Sequence, residues 1–241
     1  TRRRIRAGDC DVTLAGGAEA ALPNGVVKAW LSMQVLAPAA DEAAARDSCR
    51  PFAADRGGLV LGEGSAILVL EERERALSRG ARIYAELAGV GSSCDHGHIT
   101  APLASGQLRA LRAALRDAGA NNDDVRYVNA HGTATPEGDP VEIDALRQHF
   151  GDLAPRLPVS ATKSMHGHLM GASGAIEALI TAMAVYKGMV PPTAHRSELD
   201  PACLGVDHVL GEGRDVGELP LALSNSFAFG GSNVVLAFRA P

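Results

Sequence analysis

Val125-Arg-Tyr-Val-Asn-Ala-His-Gly-Thr-Ala-Thr-Pro-Glu-Gly-Asp-Pro-Val-Glu142 is the stretch from which the fold is read. Residues 125–129 form a short apolar run that suits a buried strand. A loop with a glycine, two threonines and Pro136 follows. Asp139-Pro140 then opens a helix that runs through Phe150. Asp at the N-cap, Pro at N1 and Glu142 at N3 make a helix-start signature. Strand, loop and helix together are one step of an alternating α/β chain. Ligands of such sheets bind beyond the carboxyl ends of the strands, and His131 stands at that end.

The same step recurs on both sides. Downstream, residues 157–160 read as a strand, and Lys163-Ser-Met-His-Gly-His-Leu-Met-Gly-Ala-Ser-Gly174 as a loop. A helix over 171–187 follows, with Ile176, Leu179, Ile180 and Met183 expected in the core, closed by Gly188 and Pro191-Pro192. Residues 221–224 and 233–238 are strands joined by a Gly-rich bend. Upstream, 83–90 is a strand, and Ser105 is expected to cap a helix that buries Leu108, Leu111 and Leu115 and ends at Gly119. Before Arg82 the pattern differs. A strand at 11–15 precedes a surface connection over 37–50. Residues 58–64 and 65–71 read as two strands about a hairpin turn at Gly62-Glu-Gly64, and 72–80 as a short helix or connection. The chain therefore divides into a unit over 1–81 and a second over 82–241, the latter an α/β unit around a largely parallel, buried sheet.

Composition narrows the function. Hydrophobic residues make up 46% of the 241 and charged residues 21%, which suits a globular domain rather than a disordered one. A net charge of −5 argues against a general nucleic-acid binder. The four cysteines lie far apart with no CxxC pair, so neither a zinc ribbon nor a disulfide scaffold is expected, and reduced thiols suggest the cytoplasm. No apolar run approaches the ~20 residues of a membrane helix. The basic start TRRRIRAGD has no apolar stretch after it, unlike a signal peptide. It also begins mid-pattern without Met, as a fragment would.

Three loops hold the candidate chemistry. His131 leaves a strand end, and Thr133 and Thr135 beside it suit either a ligand amide or a turn. Asp139 is read as a helix cap. A buried Glu142 needs a cation, for which Lys163 is the candidate. His168 precedes a helix N-terminus, whose dipole disfavours protonation and leaves a ring N–H to donate to a developing oxyanion. His166, two residues away, has no evident partner. The third loop, Ser224-Asn-Ser-Phe-Ala-Phe-Gly-Gly-Ser-Asn233, has Gly230 and Gly231 to let backbone N–H groups line a concave oxyanion pocket. Phe227 and Phe229 either wall an apolar channel or pack in the core. His96, His98, His131, His166 and His168 lack the spacing of a metal site, so no catalytic metal is expected.

Together these loops resemble the β-ketoacyl synthase family of condensing enzymes. HGTATPEGDPVE is similar to the family's first-histidine motif, KSMHGHLMGASGAIE to its lysine and second-histidine motif, and SNSFAFGGSN to its C-terminal Gly-rich loop. RPFAADRGGLVLGEGSAILVLEE, VTLAGGAEA and the ITAP stretch also look like family segments, in collinear order. The resemblance implies a thiolase-like fold of layers αβαβα, with 1–81 ending the N-terminal half and 82–241 forming the whole C-terminal half. It implies decarboxylative condensation of malonyl-carrier-protein with an acyl thioester, in fatty-acid or polyketide-type biosynthesis. The partner is an acyl carrier protein bearing phosphopantetheine-linked groups, and the assembly a homodimer or a ketosynthase heterodimer. By motif match, His131 and His168 donate to the malonyl enolate oxygen. Lys163 orders them and, with Glu142, tunes the local field. Thr133 and Thr135 touch the pantetheine arm, and the Phe229 N–H is half of an oxyanion hole. Asn129, Glu177, Ser224 and Asn225 match a structural monovalent-cation site; no other cofactor is implied.

The nucleophilic cysteine of the family has no counterpart here. Cys10 falls in a GDxDV turn and Cys49 just before RPF, so the chain alone is expected to be inactive. The HGH variant and SCRPFAADR are similar to a subgroup that includes nodulation-type ketoacyl synthases. A thiolase is the second reading, weakened because the last Gly-rich loop lacks a cysteine. A chain-length-factor-like, non-catalytic subunit is the third, and retention of both histidines and Lys163 speaks against it.

Overall fold

The computed structural model describes residues 1–195 and 197–241. Helix α1 (Arg2–Arg6) leads into strand β1 (Val12–Glu19), then α2 (Asn24–Ser32) and α3 (Glu42–Arg46). Strand β2 (Gly64–Glu71) returns antiparallel to β1, with Val12 opposite Glu71 and Glu19 opposite Gly64. After α4 (Arg73–Ser78) come β3 (Glu86–Cys94), α5 (Ala104–Ala118), β4 (Val125–Asn129), α6 (Gly138–Phe150) and β5 (Pro158–Ser160). The chain continues through α7 (Lys163–His166), α8 (Ser173–Lys187), β6 (Met189–Val190), β7 (Asp207–His208) and β8 (Arg214–Asp215), and ends in the hairpin β9 (Leu221–Ala228) and β10 (Ser232–Arg239).

The main sheet has six strands in the order β3-β10-β9-β4-β5-β7. Strands β9, β4, β5 and β7 are mutually parallel, while β10 runs antiparallel to both β3 and β9. The sheet is therefore largely parallel, as expected, with β10 the exception, because the short Gly230-Gly231 bend turns β10 straight back on β9. Side chains alternate along β9. Leu221 and Leu223 join Val128, Leu111, Ile143 and Leu146 on the face covered by α5 and α6. Ala222 joins Tyr127, Ala178, Ala182 and Val185 on the face covered by α8. The β1–β2 ribbon packs on the far side of α8, which gives consecutive layers α, β, α and β. The approach is close: a Cβ on Gly17 would lie 2.2 Å from the carbonyl oxygen of Gly171. The ribbon's outer face leaves Val12, Leu14, Ile67 and Val69 between 43% and 68% exposed.

Several local expectations are corrected. Residues 58–63 form no strand, and Gly62-Glu-Gly64 is not a hairpin turn. Gly62 N–H donates to the His168 carbonyl (2.9 Å) and His168 N–H to the Val60 carbonyl (2.7 Å), so the histidine loop recruits this segment instead. Ser105 is not a cap: α5 begins at Ala104 after Leu103, whose N–H is taken by the Asp95 carboxylate (2.9 Å). The strand expected over 83–90 starts at Glu86. Helix α8 starts at Ser173 after a 3₁₀ turn, and its buried face is Ser173, Glu177, Ala178, Thr181, Ala182, Ala184 and Val185. Ile176, Ile180 and Met183 are half-buried and Leu179 is exposed. The small residues face inward because α8 is squeezed between two sheets, and Glu177 faces inward because it meets a buried charge.

Candidate active site

That charge is Lys163, 1% exposed, at the start of α7. Its ammonium pairs with the Glu177 carboxylate. It also donates to the His131 carbonyl (2.7 Å) and approaches His131 Nδ1 (3.2 Å). Glu142, expected to be the lysine's partner, binds backbone instead. Its two oxygens accept from the N–H groups of His131 and Gly132 (both 2.9 Å), and Asn225 donates to it at 2.9 Å. The His131 residue is thus gripped on its carbonyl by Lys163 and on its N–H by Glu142. An ammonium at Nδ1 makes that nitrogen an acceptor, so the proton sits on Nε2. Burial, reinforced by the charge of Lys163, holds the His131 pKa well below its ordinary value, and the ring is neutral.

His168 reaches the same state by other contacts. Its Nδ1 accepts from Met170 N–H (3.1 Å) and lies 2.9 Å from the Ser173 hydroxyl at the head of α8. Its proton therefore also sits on Nε2. Burial first, then the charge of Lys163, pushes its pKa down to about 3. The two rings are 5.4 Å apart and nearly perpendicular, with Phe227 at 6.0 Å from His131. Both rings line a cavity of about 750 Å³, together with Thr133, Thr135, Phe227 and Phe229. Two neutral imidazoles with Nδ1 tied back and Nε2–H left for the cavity make a pair of donors for an oxyanion.

The loop carrying Thr133 and Thr135 is built by charges that sequence reading misplaced or missed. Asp139 is not the helix cap. One of its oxygens accepts from Thr133 N–H and Ala134 N–H (both 3.1 Å), and the other from Phe52 N–H (2.8 Å). Thr135 takes the capping role, accepting from Gly138 N–H at 3.1 Å. Its hydroxyl also lies 3.0 Å from that of Thr133. Arg56, not singled out from sequence, donates to the carbonyls of Ala53, Thr135 and Pro136 and to Asp200 (2.6 to 3.0 Å). A buried arginine so bonded orders the loop from below. Its signal was a charge between the apolar stretches 51–54 and 57–61. Glu177 as the lysine's partner had a signal too: it is the sole acidic residue of α8.

Other candidates lie elsewhere. His166 bonds the Thr162 hydroxyl (3.3 Å) and the Gly167 carbonyl (2.8 Å). The Gly230 and Gly231 N–H groups donate to the Ile99 and Ala228 carbonyls, which leaves the Phe229 N–H as the donor expected of this loop. Phe229 lines the cavity and stacks on Trp30, centroids 6.2 Å apart. No cluster of three or more metal-ligating side chains occurs among the described residues.

Two family models match the chain. Residues 1–76 fit the β-ketoacyl synthase N-terminal domain and residues 84–197 its C-terminal domain. The chain belongs to the β-ketoacyl synthase family. Nodulation protein E of Rhizobium sp. (strain N33) is 48% identical over 237 residues, which cover 98% of this chain and 56% of that protein. The 3-oxoacyl-[acyl-carrier-protein] synthase 2 of Staphylococcus aureus (strain COL) is 44% identical with the same coverage. The chain thus spans 56% of the length of these curated relatives. Among solved structures, a β-ketoacyl synthase from Burkholderia phymatum STM815 superposes with a TM-score of 0.93 at 42% identity, over 99% of this chain and 57% of that one. A type II polyketide ketosynthase, solved with its acyl carrier protein and bound to a hexaketide, gives 0.94 at 34% identity, over 99% and 58%. The fold is therefore that of the thiolase-like ketosynthases.

Cys49 is buried with its thiol on the Lys163 carbonyl (3.1 Å), and burial pushes its pKa up to about 12. Cys203 is fully buried and likewise pushed up to about 12. Cys94 is exposed and Cys10 half-buried. None of the four lines the cavity. The candidate cation residues are Asn129, Glu177, Ser224 and Asn225. Ser224 and Asn225 are consecutive on β9, so their side chains take opposite faces, and Asn225 is drawn to Glu142. Asn129 is occupied by Thr162, Thr181 and the Glu177 carbonyl. Glu177 Oε2 and Asn225 Oδ1 are buried without a hydrogen-bond partner among the described residues.

Proposed function

We propose that this chain forms the malonyl-decarboxylating half of a β-ketoacyl-carrier-protein synthase site, within a longer protein of fatty-acid or polyketide-type biosynthesis. The observation that carries this reading is the pair of neutral histidines whose Nε2–H groups share one cavity. A malonyl thioester placed there loses CO2 by breaking the bond between its carboxylate carbon and the α-carbon. The released electron pair passes to the thioester oxygen as an enolate. Two neutral N–H donors stabilise that charge as it forms, without first transferring a proton. The enolate carbon then attacks an acyl thioester, forming a C–C bond and expelling a thiolate.

The acyl-bearing thiol in this scheme comes from outside these 241 residues, since none of the four cysteines is placed to supply it. Thr133 and Thr135, on the Arg56–Asp139 framework, face the pantetheine arm of an acyl carrier protein. The Phe229 N–H completes an oxyanion hole for the acyl group. Residues 1–81 close the N-terminal half and 82–241 form the second. The exposed ribbon face of Val12, Leu14, Ile67 and Val69 is where the remaining layer packs, and the assembly is a dimer of such chains in the cytoplasm. The chain-length-factor reading is disfavoured by the intact histidine pair. The test is malonyl-thioester decarboxylation by the protein with its upstream segment. His131→Ala and His168→Ala should each lower the rate at least a hundredfold; an unchanged rate in either would falsify the assignment.

A further inference from the structure

Gln107 lies on the inner face of α5 and lines the same cavity as His131 and His168. It is 1% exposed, and its Oε1 is buried without a hydrogen-bond partner among the described residues. Its neighbours on that helix face are Gly106, Leu108, Ala110, Leu111 and Ala114, none of which offers a polar side chain. A carbonyl taken out of water and left unpaired destabilises the fold, whereas leucine or methionine there would not. A partner that arrives with a ligand accounts for such a group.

The surroundings say which part of a ligand that is. Gly106 presses on the cavity's polar side: a Cβ there would lie 1.6 Å from Asp95 Oδ1 and 2.8 Å from Asn233 Nδ2. Thr133, Thr135 and Gly138 also line the cavity, as do the apolar Trp30, Met33, Val35 and Leu59. A saturated acyl chain carries no donor for a carbonyl. A pantetheine arm carries two amides, each with an N–H and a C=O. We infer that Gln107 is a specificity-determining residue that hydrogen-bonds an amide of the pantetheine arm within the cavity that Thr133 and Thr135 also line. This rests on the cavity being the malonyl-thioester site.

The test uses the protein with its upstream segment and two substrates, malonyl-pantetheine and the S-propyl thioester of malonate, which has no amide. Gln107→Leu and Gln107→Met should raise KM for malonyl-pantetheine, so that the ratio of kcat/KM between the two substrates falls about five- to tenfold. The melting temperature should hold or rise. An unchanged ratio, with either equal losses on both substrates or none, overturns the inference. A wild-type protein that decarboxylates neither thioester overturns the malonyl-site reading and the inference with it.

Discussion

Lys163 holds His131 at two points, its backbone carbonyl at 2.7 Å and its Nδ1 at 3.2 Å, while Glu177 answers the lysine's charge from α8. The lysine therefore sets both the position and the tautomer of the histidine. Both ions are 1% exposed. Removing one leaves the other buried and unpaired, at a cost of about 3–5 kcal/mol. Lys163→Met should lose that much in urea unfolding, and Lys163→Met with Glu177→Leu should recover most of it. Decarboxylation should stay low in both, because His131 Nδ1 loses its donor. Activity recovered along with stability would mean the lysine acts through folding alone.

His168 makes stability depend on pH. Its folded pKa, about 3, lies below the ordinary 6.5, so the unfolded chain binds the proton more readily between these values. The contribution is complete above 6.5 and is lost as pH falls toward 3. Between pH 7 and 5 the loss amounts to about 2 kcal/mol. Asp139 and Glu177, pushed up to about 7 by burial, act oppositely and lose stability as pH rises. Comparing wild type with His168→Gln cancels them. The variant should lose about 2 kcal/mol less over that interval; parallel profiles would show that His168 takes up its proton in the fold as readily as in the unfolded chain.

Arg56 is the buried strut beneath the threonine loop. Arg56→Leu strips a hydrogen bond from the Ala53, Thr135 and Pro136 carbonyls and the cation from beside Asp139 and Asp200. About 3–5 kcal/mol should be lost, and Arg56→Lys should recover little, since a lysine cannot span four separated acceptors. In variants that still fold, KM for malonyl-pantetheine should rise more than kcat falls. A selective fall in kcat would place the arginine with the histidines instead.

Ala134 adopts φ +63° while fully buried, between Asp139 on its N–H and Gly58 on its carbonyl. That conformation suits glycine. Ala134→Gly should be neutral or stabilising by up to ~1 kcal/mol, whereas Ala134→Val, β-branched in the left-handed region, should lower the melting temperature sharply. A tolerated valine would show that the loop relaxes out of this conformation.

The cysteines divide by burial. Iodoacetamide should label Cys94, and leave Cys49 and Cys203, both pushed up to about 12, unmodified in the folded protein. Peptide mass spectrometry reads this directly. Rapid labelling of Cys49 would mean that the segment before Pro51 opens.

The site was legible where chemistry follows chain order. His131, Lys163 and His168 each lie in a loop after a short apolar strand, and parallel strands bring such loops to one edge. Pairings were less legible. Glu142 and Glu177 are both acidic residues on helices after such loops, and nothing in their spacing says which meets Lys163. Asp139 reads as a cap by every local rule, yet the helix starts at Gly138, whose N–H Thr135 accepts, which frees the Asp139 carboxylate to gather three backbone N–H groups.

Sequence by itself determined the α/β alternation, the three chemical loops and the absence of a suitably placed cysteine motif, because these depend on local period and residue type. Only tertiary structure decided which face of α8 is buried, that residues 58–64 serve the histidine loop rather than a hairpin, and that both histidines carry their proton on Nε2. Each of those turns on a partner far away in the chain, and a buried polar group takes whichever partner the packed layers bring within hydrogen-bond reach.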